Sequence, residues 1–305
     1  MWSCRESNAS PAGRSWAPKT KRDKTEGVKP SAAFSGLGAI PPTGLTDARQ
    51  HVHWALQVLA AVGESLVPKR DDDSHAATTW DERFQCFVTS PIPADVERRV
   101  RLYPESLTLG VVKGGVVAAE LGLEGKTLDE AMSWTAEQLG QTALARPGYE
   151  MPSHPVADGA PFGGDAEARE ELADWYQSVA SLLKALASHD DATPVRCWPH
   201  HFDMATLVSL DPDEDDADEA RSIGIGLSPG DATYDQPYLY ITPWPYPAAD
   251  TELPELPAGR WQREGFTGAV LTGEDIVAVD PSERIALVGG FVEAGVAATY
   301  ALLET

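Results

Sequence analysis

Hydrophobic positions recur every three to four residues in some stretches and alternate in shorter ones, and these two periods sort the chain into helices and strands. Val52, Leu56, Leu59 and Val62 keep to one face of a helix expected from Thr46, its N-cap, to Val67, where Pro68 forbids continuation. Leu128, Met132, Thr135 and Leu139 make the buried stripe of a second helix, opened by the capping box Thr127-Leu128-Asp129-Glu130. Leu172, Trp175, Val179, Leu182 and Leu186 carry a third, from about Asp165 to Ser188. A fourth is expected to start with Asp280 as N-cap and Pro281 at its first position, and to run through the apolar stretch Ile285 to Leu303.

Between the helices lie runs rich in β-branched and aromatic residues, at 84–89, 97–102, 107–112, 116–119, 195–210, 222–227, 238–243 and 260–271. In Glu97-Arg98-Arg99-Val100-Arg101-Leu102 the arginines alternate with Val100 and Leu102, the mark of a sheet with one wet face. The pattern predicts an α+β fold, a largely antiparallel sheet flanked by about four helices, in a single domain over residues 43–305. Residues 1–42, rich in Ser, Pro, Gly, Lys and Arg and without a period, read as a disordered basic tail. Residues 146–164, with four prolines and four glycines, read as a linker or as a loop lining a site.

Charge narrows the function classes. The 305 residues hold 24 Lys and Arg against 47 Asp and Glu, a net charge of -23, and the first 40 residues are themselves basic. The rest is therefore more acidic still, and repels phosphate backbones, so no nucleic-acid partner is expected. Cys4, Cys86 and Cys197 show no C-x-x-C spacing, which argues against a disulfide framework or zinc knuckle and for a reducing compartment. With no apolar run near the start, a cytoplasmic protein is expected. Ile285 to Leu303 is long and apolar, but Glu293 at its centre and the lack of following basic residues favour a buried helix, with no membrane partner.

Candidate chemistry concentrates in Arg196-Cys197-Trp198-Pro199-His200-His201-Phe202-Asp203 and in Ser228-Pro229-Gly230-Asp231 through Tyr238 and Tyr240. If residues 195–204 are extended, Cys197, His201 and Asp203 share one face, and Trp198, His200 and Phe202 the other. His201 and Asp203 could then hold a divalent metal with Asp231 as third ligand, His154 and Asp235 being the other nominees. Without metal, Asp203 could orient His201 for acid–base work, with a hydroxyl from Tyr238 or Tyr240. Cys197 is the one nucleophile in range, though a buried inert thiol fits it better. His51 and His53, two apart on one helix, point to different faces. The acidic run 211–219 lacks the glycine and terminal glutamate of a calcium loop and reads as a solvated hairpin tip.

Trp198-Pro199-x-His201-Phe202-Asp203, Ser228-Pro229-Gly230-Asp231 and Pro237-Tyr238-x-Tyr240 together resemble an uncharacterised bacterial family, a domain of unknown function, over roughly residues 44 to 305. Trp54 and Gln57 in the first helix fit the same pattern. More distant members keep the Phe-Asp and the Pro-x-x-Tyr without histidines at the places of His200 and His201, so the resemblance implies a structural or ligand-orienting Asp203. It implies no substrate, cofactor or partner. The resulting expectation is a small-molecule pocket in the C-terminal half, lined by Trp198, His201, Asp203, Asp231, Tyr238 and Tyr240. The alternatives are an enzyme, with or without metal, using His201 and Asp203 on a small polar substrate, and an interaction module with an acidic surface. Oligomeric state has no sequence signal.

Overall fold

The structure, a computed structural model, describes residues 34–188, 191–212, 214 and 220–304. The disordered-tail reading of residues 1–33, and most of the acidic run 211–219, lie outside the described residues. Five α-helices are described: α1 (Thr46–Leu66), α2 (Leu128–Leu139), α3 (Ala166–Leu186), α4 (Gly273–Val277) and α5 (Arg284–Leu303). The strands of the first half are β1 (Thr78–Asp81), β2 (Cys86–Thr89), β3 (Arg98–Tyr103), β4 (Thr108–Lys113) and β5 (Val116–Gly122). Those of the second are β6 (Arg196–Trp198), β7 (Asp203–Ser209), β8 (Ser222–Ser228), β9 (Tyr238–Trp244), β10 (Arg260–Gln262) and β11 (Gly268–Thr272).

All eleven strands form one sheet in the order β10-β11-β9-β8-β7-β6-β1-β2-β3-β4-β5. Two meanders meet at its middle, where β1 pairs antiparallel with β6 through Thr78 and Cys197. Alternation then fixes the faces: Trp80, Phe87, Leu102, Leu109, Cys197, Met204, Ile225, Leu227, Leu239 and Ile241 are all buried on the side that α1, α3 and α5 cover. The expected α+β fold with a largely antiparallel sheet is the one observed.

Three element boundaries differ from expectation. Thr46 is the first helical residue rather than a cap; a 3-10 turn at Pro42–Leu45 leads into α1, and the Thr46 hydroxyl donates instead to the Asp235 carbonyl, 3.0 Å away. Asp280 caps a separate turn, accepting from Ser282 N–H at 2.9 Å, and α5 begins four residues later. The run 195–210 is broken by a turn at residues 199–202 into β6 and β7.

The body also starts before residue 43. Phe34 and Leu37 are buried in the core, Glu171 accepts the N–H groups of Gly38 and Ala39, and Arg284 donates to the carbonyls of Phe34 and Leu37. Helix α5 is long and apolar enough to span a membrane by length and composition, but it docks Val288, Phe291, Val292 and Val296 onto the sheet and leaves Ile285 and Tyr300 exposed. Its burial is one-sided, so its apolar composition exceeds what its packing uses.

Helix α1 is buried round most of its circumference. One side lies on the sheet, and along the other runs the 141–164 segment, fastened by Ala145 N–H to Ser65 Oγ (2.8 Å) and Tyr149 hydroxyl to Gln57 Oε1 (2.6 Å).

Candidate functional site

The β6–β7 turn places the first motif. Trp198 pairs with Asp203 and Cys197 with Met204, so Trp198 and Asp203 share the open face while Cys197 points into the core. The expected grouping of Cys197, His201 and Asp203 is thereby overturned, because a turn resets the alternation that an uninterrupted strand would have kept. Burial pushes the Cys197 thiol well above its ordinary pKa, which leaves it protonated and inert.

Phe202 takes a left-handed backbone (φ 60°) and inserts its ring among His53, Phe87 and Tyr176, stacked on His53 at 5.0 Å. The turn is tied down from the helices: Tyr176 donates to the Phe202 carbonyl at 2.5 Å, and His53 Nε2 and Gln57 Nε2 donate to the Pro199 carbonyl at 2.7 and 2.9 Å. Burial lowers the His53 pKa to about 4, so the ring is neutral and its Nε2 proton is the one the carbonyl takes. His200 and His201 stand at the exposed tip, their rings edge-on at 4.3 Å.

The second and third motifs do meet the first. Tyr240 donates to Asp203 Oδ2 at 2.5 Å, and Tyr238 donates to Asp231 Oδ2 at 2.5 Å. The other oxygen of Asp231 accepts the N–H groups of Thr233 and Tyr234, building the loop after β8. Gly226 makes room for this: a Cβ there would stand 2.5 Å from the Tyr240 ring. Gly230 (φ 115°) does the same for Arg49, whose Nη1 would lie 2.0 Å from a Cβ; that one nitrogen is dry and has no hydrogen-bond partner among the described residues. Burial raises the Asp203 carboxyl above the ordinary range, with the Tyr240 hydrogen bond and His201 opposing.

These side chains converge, then, but each carboxylate is committed to a tyrosine, and His201 is exposed at the turn. The proposed metal set His201, Asp203 and Asp231 is not assembled. Among the described residues the one trio of possible ligands within 4.8 Å is Asp47, His51 and His154. Its donor chemistry does not suit an ion: His51 Nδ1 accepts Gly163 N–H (3.3 Å) and His154 Nδ1 accepts Val156 N–H (3.4 Å), which leaves the proton of each neutral ring on Nε2. A ligating histidine needs the reverse, with its second nitrogen donating to an acceptor.

A hollow that the sequence marked only in part lies between α1, α2 and the 141–164 segment. It measures about 260 Å³; Trp54, Gln57, Leu128, Met132, Tyr149 and Met151 are among its lining residues, and Arg146, the charged residue of the lining, is paired with Asp129. Tyr149 went unrecognised because a lone tyrosine in a Pro/Gly-rich stretch carries no period. Gln57 is held on three sides, by Tyr149, Pro199 and the His53 carbonyl, and so presents a fixed surface. A larger depression of about 770 Å³ lies along residues 252–261, but one contiguous segment with Glu252 and Glu255 makes it, and no distant elements converge there. No protein-family model, no curated protein and no solved structure matches this chain.

Proposed function

We propose that the protein binds a small, largely apolar, uncharged molecule in the groove between α1, α2 and the 141–164 segment. The observation that carries this reading is the convergence of α1 with the sequence-distant α2 and the segment that follows it on one hollow of about 260 Å³, close to the lower size of small-ligand sites. Trp54, Met132 and Met151 supply adaptable apolar walls, and the Tyr149 hydroxyl, having given its proton to Gln57, keeps lone pairs for a ligand donor. The ligand-binding expectation is kept and its place is moved, since the tyrosine–carboxylate pairs of β7 to β9 brace the sheet on which α1 rests.

The test is titration with Nile red, a neutral apolar fluorophore, against wild type and Met151→Glu. Wild type should bind about one equivalent, and the variant at least roughly tenfold more weakly, because a carboxylate in an apolar wall must be desolvated. Absence of binding, or equal binding by the two proteins, would remove the reading.

A further inference from the structure

The segment that roofs the groove meets α1 at a pair of histidines, His154 on the segment and His51 on the helix. His154 lies edge-on to His51, ring centroids 4.7 Å apart, and each ring takes a backbone N–H on Nδ1, from Val156 and Gly163 respectively. A proton arriving on either ring can go only to that same nitrogen. Charging therefore replaces an accepting contact by two donors facing each other, next to a second imidazole.

The charged and titratable groups facing His51 are Asp47 on α1, His154 on the segment and Arg169 on α3; His154 faces Asp47 and His51. Asp47 favours a charged ring, but it stands 3.9 Å from His51 Nε2 with its carboxylate mostly in solvent. Burial is the larger influence and holds both imidazoles below the ordinary histidine range. Since the closed arrangement depresses these pKa values, it binds fewer protons than an opened one, and falling pH shifts the balance toward opening.

Two anchors beyond the histidines do not titrate in this range. Tyr149 holds to Gln57 on one side, and Phe162 exchanges backbone hydrogen bonds with Gly125 and Lys126 on the other. We infer that residues 150–161 are a proton-released latch over the groove, closed while His51 and His154 are neutral and lifting from α1 in acid. This rests on the groove reading for its purpose, though not for its motion.

Hydrogen exchange of the full chain without ligand, at about pH 7.5 and about pH 5.5 with correction for intrinsic rates, tests it. Peptides covering 150–163 should lose about tenfold or more protection in acid beyond whatever peptides of 222–244 in the β8–β9 hairpin lose, the hairpin reporting the global change that His53 brings. The double variant His51→Gln/His154→Asn retains oxygen acceptors for Gly163 and Val156 but cannot be charged, and should abolish the loss. His154→Asn alone, at a half-buried cap position where asparagine is favoured, should reduce it and guards against misfolding of the pair. No excess exchange in wild type, an equal excess in the variants, or parallel loss from 222–244 would overturn the latch. Nile red binding at pH 7.5 reports separately on the groove.

Discussion

His53 shows how much one buried side chain on α1 decides. It stacks on Phe202, holds the Pro199 carbonyl and stays neutral because burial lowers its pKa to about 4. The unfolded chain binds that proton near pH 6.5 and the folded one only near 4, so stability is full above about 6.5 and falls as pH drops through the interval. The shift corresponds to a loss on the order of 3 kcal/mol by pH 4. Urea midpoints from pH 7.5 to 4 should show that loss in wild type and a visibly shallower one in His53→Leu. At neutral pH the variant should itself be weaker by about 1 kcal/mol, since Gln57 still serves the carbonyl. Identical slopes for the two proteins would assign the acid lability elsewhere.

Among elements, the β7–β8–β9 trio is locked on its open face by Tyr240, which crosses from β9 over Gly226 of β8 to Asp203 of β7. Gly226→Ala would push the ring off and break the contact to a carboxyl that burial has already made reluctant to ionise. A loss of about 2–4 kcal/mol in chemical denaturation is expected, from overpacking plus an unmet polar group. Tyr240→Phe removes the same hydrogen bond, so the double variant should fall well short of the sum. Strict additivity would show that Tyr240 and Gly226 act independently. Asp203 and Tyr240 were both named from the sequence as site residues; their partnership was not, because register between strands 37 residues apart is a tertiary fact.

For the molecule as a whole, the domain reaches back at least to Phe34. Compared with deletion of residues 1–33, deletion of 1–42 also strips Phe34 and Leu37 from the core, orphans the buried Glu171 and takes two carbonyl acceptors from Arg284. That second truncation should cost on the order of 5 kcal/mol, from apolar burial alone. If calorimetry finds both truncations equally stable, the 34–42 segment is not part of the fold. Irregular spacing hid it from periodicity: Phe34, Leu37 and Pro42 are its buried residues, set among Gly, Ser and Pro with no helical or strand repeat.

Local chemistry in the sequence was enough to specify α2 with its capping box, α3 from about Asp165, and the antiparallel meander of 98–122, since propensity, capping and alternation act over a few residues. The irregular 146–164 stretch, read as a linker or a loop lining a site, lines the hollow beside α1. What only the folded chain decided was which polar groups are free. The turn at 199–202 sent Cys197 inward and paired Trp198 with Asp203, the tyrosines consumed both carboxylates, and α1 gathered Trp54 and Gln57 against Tyr149. Residue types set what chemistry a side chain can do, but contacts between distant strands and helices determine which of those groups are already satisfied.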